Sequence, residues 1–167
     1  GSIIPFVINK VSSFTAIEVS DEMVQILKDR YGSNRKVRII HADAVHTGIK
    51  SGSYDVVTCT FSLHHISNGK LLFREAYRLL KDGGTFIIAD MVFKNSRLYR
   101  LIEPFWILKK TIKQGLHEIY CKYRDEKQIE KLAGEAGFKL IKKKEVKRWK
   151  TGYRDRVYPT FVYVWRK

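Results

Sequence analysis

Phe14-Thr15-Ala16-Ile17-Glu18-Val19-Ser20-Asp21 decides how the rest of the chain is read. Four residues suited to a buried strand run into one acid, Glu18, and Ser20 or Asp21 then supplies an N-cap for a helix that starts at once. An acid placed where a strand gives way to a helix suits the two vicinal hydroxyls of a nucleotide ribose. It accepts a hydrogen bond from each, and its charge strengthens both. The bland alternative is a solvated cap for the following helix, so the surrounding chain has to choose between the two.

Upstream, Ile4, Val7, Ile8 and Val11 recur at helical spacing. Pro5 fits only a first turn, so the expected helix spans 3–11 from a start near Ser2, and Ser12-Ser13 end it. Downstream, residues 21–31 form a helix with Met23, Ile26 and Leu27 inward and Gly32 as its C-terminal cap. Val37–His41 is a strand rich in β-branched residues, and a loop over 42–53 follows. Tyr54–Thr60 is an apolar strand covered on both faces, and Leu71–Leu80 an amphipathic helix with Leu72, Ala76, Leu79 and Leu80 inward. Lys81-Asp82-Gly83-Gly84 stops it, and Thr85–Val92 is a further apolar strand. This alternation predicts an α/β, Rossmann-like, doubly wound and mostly parallel sheet. Residues 94–123 interrupt it with an aromatic, basic, helical stretch split by Pro104, read as an inserted lid. Asp125 caps a helix ended by Gly137. Phe138–Glu145 and Tyr158–Trp165 then make an antiparallel hairpin at the sheet edge. The expected organisation is one domain over 1–167: a cofactor-binding half (1–93), the lid (94–123), and a C-terminal helix with edge strands (124–167).

Composition narrows the class. A hydrophobic fraction of 44% in 167 residues supports a packed core. The apolar runs are too short for a transmembrane segment. Cys59 and Cys121 form no metal or redox motif, which fits reduced thiols and a cytoplasmic protein. The net charge of +15 is uneven: residues 1–93 carry 11 Lys+Arg against 9 Asp+Glu, and residues 94–167 carry 21 against 8. The second half is either a soluble basic surface or a face for an anionic partner such as RNA, an acidic substrate or a lipid surface.

Asp43, in His41-Ala42-Asp43-Ala44, is the second acid at a strand end. In a parallel sheet it shares a rim with Glu18 and suits an exocyclic amine such as that of adenine. Two such acids on adjacent strands are more specific than either alone. His64-His65 invites a metal or general-base reading, but adjacent histidines diverge and no third ligand stands at zinc spacing, so no metal is expected.

The order Glu18, Asp43, Tyr54-Asp55-Val56-Val57, Phe61-Ser62-Leu63-His64-His65 and Leu79-Leu80-Lys81-Asp82-Gly83-Gly84 resembles the class I S-adenosylmethionine-dependent methyltransferases, most of all the branch acting on quinones and other small molecules. The resemblance covers 1–93 well and is only topological from 124 onward. It implies S-adenosylmethionine as cofactor, with Glu18 and its neighbour Val19 at the ribose, Asp43 with Ala44 at the adenine amine, and Thr60 and Phe61 at the methionine end. It leaves Asp55 structural. His64, Tyr99, Phe105 and Trp106 are expected to line the acceptor site, with His65 and His117 as weak candidates for a base. The family's glycine-rich loop should precede the first helix. Gly1, 17 residues before Glu18, fits its last glycine, although Gly1-Ser2 also reads as a cloning scar. The first strand and the earlier glycines are then expected either upstream of this sequence or replaced by another chain, as in a homodimer. The expected function is methyl transfer to a small or lipid-like acceptor. The alternatives are an RNA methyltransferase and a cofactor- or anion-binding domain without catalysis.

Overall fold

The computed structural model describes the backbone of residues 3–93, 124–150 and 157–167. The expected lid over 94–123, with Tyr99, Phe105, Trp106 and His117, lies outside the described residues, as does Gly1. The chain divides into two compact units, 1–49 and 50–167.

In the first unit, α1 (Ile4–Val7) passes into a single 3-10 turn, Ile8–Lys10, where the apolar spacing predicted one longer helix. β1 (Phe14–Glu18) follows, then α2 (Asp21–Tyr31) and β2 (Val37–His41). β1 and β2 pair in parallel, with Phe14 opposite Val37 and Glu18 opposite His41. Ile4, Ala16 and Leu27 form the core, and Ile8, Phe14, Tyr31, Val37 and Ile39 pack against it. Ser20 caps α2 by accepting from the Met23 amide at 3.4 Å. The buried stripe of α2 is Val24 and Leu27, while Met23 and Ile26 are exposed. The expected stripe was thus rotated by a residue, because a short helix with four apolar positions offers two overlapping faces. Gly32 closes α2 in the right-handed region, at φ −60°. Glycine is needed there for space, since a Cβ would stand 2.5 Å from the Lys28 carbonyl oxygen.

In the second unit, β3 (Tyr54–Thr60) is followed by a 3-10 turn, Leu63–His65, and by α3 (Gly69–Leu79). β4 (Leu80–Phe93), β5 (Arg124–Asp125), α4 (Glu126–Ala136), β6 (Lys139–Lys150) and β7 (Val157–Arg166) complete it. The sheet order is β3-β4-β7-β6, and β5 pairs with the end of β4. β3 and β5 run parallel to β4, whereas β7 is antiparallel to both β4 and β6. The mostly parallel α/β arrangement with an antiparallel edge hairpin therefore stands. β4 reaches back to Leu80, through the residues expected to form only a turn. β5, two residues long, carried no signal in the sequence.

Asp125 closes a capping box with Gln128, each side chain accepting from the other's backbone amide, at 2.8 and 3.0 Å. Gly137 ends α4 at φ +98°, where glycine alone is free of strain. Phe73, Phe86 and Phe138 fill the core between α3 and the sheet: the Phe73 and Phe86 rings meet edge-on at 5.5 Å, and Phe86 and Phe138 stack at 5.2 Å. Phe73 has no exposed surface. Replacing Phe73 with Ala should lower unfolding stability by about 3–5 kcal/mol, read as an earlier urea midpoint with an unchanged slope.

Candidate functional site

The first unit carries the two strand-end acids. Glu18 Oε1 accepts from the amides of Val19 at 2.9 Å and Ser20 at 3.1 Å. Those two bonds hold the carboxylate against the turn into α2. Among the described residues Oε2 takes no hydrogen bond. The Ala42 amide donates to the Glu18 carbonyl at 3.0 Å, which continues the β1–β2 ladder to the brink of Asp43. Asp43 sits two residues beyond the register partner of Glu18 and is exposed. Its Oδ1 accepts from the Val45 amide at 3.0 Å, closing an Asx turn, and its carbonyl accepts from the His46 amide at 3.0 Å. Among the described residues Oδ2, too, takes no hydrogen bond. The structure thus brings Glu18, Val19, Asp43 and Ala44 to one rim. Each acid has one oxygen held by backbone and one open to a ligand. That donor-hungry pair fits a diol and an exocyclic amine, the two groups an adenosine moiety presents. His41 adds a contact at this rim, its Nε2 lying 3.0 Å from the Val19 carbonyl.

The second unit carries the loop after β3. Phe61 leaves the strand at φ +50°, an uncommon conformation for a residue with a side chain. Its amide still donates to the Ala89 carbonyl at 2.8 Å. Asp90 lies beneath the next turn with its side chain 1% exposed. Its Oδ2 accepts from the Leu63 amide at 2.8 Å, and its Oδ1 from the Met91 amide at 2.7 Å. His64 Nδ1 stands 2.7 Å from the same Oδ1. A carboxylate can only accept, so Nδ1 carries the proton. His64 is itself buried, and its ring lies 4.0 Å from the exposed His65 at 46°.

Arg124 grips the loop from its carbonyl side. Its guanidinium donates to the carbonyls of Leu63 and Ile66, each at 2.7 Å, and to that of Ser67 at 3.3 Å. Burial pulls the Arg124 pKa below its ordinary value, opposed by the charge of Asp90. Gly69 makes room for it, since a Cβ there would stand 3.0 Å from Arg124 Nε and Nη2. Cys59, beneath them in β3, has its thiol pushed up to about 12, chiefly by burial and then by Asp90.

Thr60, Phe61, His64 and His65 therefore occupy one short, doubly anchored loop. Sequence reading missed both anchors. Asp90 ends the apolar run Phe86–Ala89, the pattern that drew attention to Glu18, and could have been found that way. Arg124 had no signal, because its role depends on a distant loop. Among the described residues no group of three His, Cys, Asp or Glu side chains could hold a metal ion.

A parallel α/β segment with paired strand-end acids defines a domain of the nucleotide-cofactor-binding class. A family model described as a methyltransferase domain matches residues 1–88, just over half of the chain, and the chain belongs to that family. Over 136 residues it is 24% identical to a demethylmenaquinone methyltransferase of Staphylococcus aureus (strain JH9), covering 74% of this chain and 56% of the relative. The chain thus spans about half the length of the curated relatives it matches. Among solved structures, a candidate methyltransferase from Bacillus halodurans C-125 superposes with TM-score 0.77 at 18% identity, covering 100% of this chain and 88% of the other. A SAM-dependent methyltransferase from Methanosarcina mazei gives 0.70 at 16%, covering 93% and 82%. At these identities the two structures establish the fold.

Two consequences are measurable. Asp90→Asn turns one acceptor into a donor facing a backbone amide and removes the negative charge near the half-buried Arg124 guanidinium. It should cost about 3–5 kcal/mol, read by denaturant titration. The buried Cys59 thiol should resist alkylation in the folded protein. The unfolded thiol ionises near 9.0 and the folded one near 12, so the unfolded state loses its proton first and stability falls as pH rises between those values. The fall from this group is about 1.4 kcal/mol per pH unit. It should be absent from the Cys59→Ala variant and so appear as the pH dependence of the difference between the two proteins.

Proposed function

We propose that this protein transfers a methyl group from S-adenosylmethionine to a small, lipid-like acceptor of the quinone kind. The observation that carries the cofactor assignment is the pair of half-satisfied carboxylates, Glu18 and Asp43, on adjacent strand ends of a chain that belongs to a methyltransferase family. Glu18 Oε2 would accept from the ribose hydroxyls and Asp43 Oδ2 from the adenine amine, with Val19 and Ala44 beside them. The bonds from Val19 and Ser20 to Oε1 keep the carboxylate aimed without any reordering on binding. Thr60 and Phe61 keep the cofactor role that the resemblance implies, and the acceptor assignment of His64 rests on the ring orientation that Asp90 imposes.

When bound, the cofactor supplies an electrophilic methyl on a sulfonium whose departure as a thioether needs no proton. The protein's part is then in-line positioning and exclusion of water more than acid catalysis. The lipid-like acceptor is supported by the relative named for demethylmenaquinone, which matches 74% of this chain.

Calorimetry with S-adenosylhomocysteine tests the cofactor site. Glu18→Gln retains an oxygen for the Val19 and Ser20 amides but presents an amide to the ribose. It should weaken binding about 10- to 100-fold, the worth of hydrogen bonds to a charged group, while leaving the thermal transition unchanged. Undiminished affinity in that variant would overturn the assignment.

A further inference from the structure

We propose that the outer edge of the second unit's sheet, strand β6, docks on an anionic phospholipid surface. β6 pairs with β7 along one side, and it is the terminal strand of the order β3-β4-β7-β6. Its first eight residues, Lys139 to Val146, are all exposed. Four lysines and one acid, Glu145, stand there beside three aliphatic side chains that are unusually open for a folded protein: Leu140 is 44% exposed, Ile141 56% and Val146 42%. The register with β7 shifts between Leu140 and Lys142, so Ile141 is passed over in the β7 pairing and pushed outward.

The charges divide by face. Lys143 is already neutralised, its Nζ lying 2.6 Å from Glu126 and 2.9 Å from Glu130 on α4. Lys142, Lys144 and Val146 fall on the opposite face, opposite Val164, Val162 and Thr160 of β7. Together with Lys139 and the bulge at Ile141 they make a strip both cationic and aliphatic.

Its chemistry selects the occupant. A second copy would bring the same lysines against these. Another strand along the edge is disfavoured by lysines and a bulge, the devices that keep edge strands from pairing. Single-stranded RNA is gripped chiefly by aromatic stacking beside its charges, and the exposed apolar side chains here are aliphatic. A leaflet with anionic headgroups satisfies both components at once: the ammonium groups meet phosphates while Ile141 and Val146 enter the headgroup boundary, Leu140 lying on the Lys143 face opposite Trp165. The inference deepens the reading of the acceptor as lipid-like and rests on it for its purpose, since such a compound resides in a bilayer.

Sedimentation of the full 167-residue chain with phosphatidylcholine vesicles, with and without phosphatidylserine, tests it. No cofactor or acceptor is present, so failure here is separate from failure of methyl transfer or of S-adenosylhomocysteine binding. Binding should require phosphatidylserine and weaken as salt rises. K139Q/K142Q/K144Q should reduce partitioning by on the order of 100-fold, about fivefold per lysine. I141S/V146S should reduce it about tenfold or more with the salt dependence retained. Unchanged thermal transitions would show that both variants fold. Equal binding to neutral vesicles, indifference to both variants, or tighter binding to single-stranded RNA than to phosphatidylserine vesicles would overturn the proposal.

Discussion

The second unit depends on one buried carboxylate. Asp90 ends the innermost run of β4 and has two backbone amides and an imidazole within hydrogen-bonding distance. A carboxylate taken out of water is destabilising by several kcal/mol unless such donors replace its hydration. The loop after β3 supplies two of the three. The loop is therefore fixed by the needs of the strand beside it, and Phe61 tolerates a left-handed backbone because these bonds over-determine its position. Arg124 closes the arrangement from the other side. Its guanidinium, itself partly desolvated, donates to the Ile66 carbonyl and to that of Leu63, which also accepts from the Ile66 amide. One negative and one positive group thus clamp the five residues from Leu63 to Ser67 between amides and carbonyls.

The first unit is built with less burial and a different aim. Its core is small, a cluster of three buried side chains with partly buried neighbours. Its two acids are held by single turns of backbone, not by partners from afar. That leaves each carboxylate oriented but only half used. A ligand with two hydroxyls and an amine meets acceptors already aimed, so little rotamer entropy is lost on binding.

How much of this the sequence showed follows from the range of the forces involved. Strands with β-branched runs, the caps Ser20 and Asp125, and the stop at Gly137 were legible because each is decided within a few residues. The antiparallel β6–β7 pair was legible from alternation in β7 and a polar turn. The buried face of α2, the start of β4 at Leu80 and the breaking of the first helix after Val7 were not. Each is decided by what packs against it, so periodicity alone offered two answers. Arg124 lies 61 residues from Leu63, whose carbonyl it holds, and no local pattern encodes that pairing.

Three acids that follow apolar runs show how environment, not position, assigns a role. Glu18, Asp43 and Asp90 each follow an apolar run, and in the sequence they look alike. Asp90 is 1% exposed with both oxygens engaged, so it cannot receive a ligand without exposing amides that have no other partner. Glu18 and Asp43 each spend one oxygen on the adjoining turn and keep the other. A carboxylate's free acceptor capacity therefore separates scaffold from binding group, and it can be counted only once the backbone amides around it have been placed. On that count the same kind of side chain, a carboxylate after an apolar run, does structural work in the second unit and presents an open acceptor in the first.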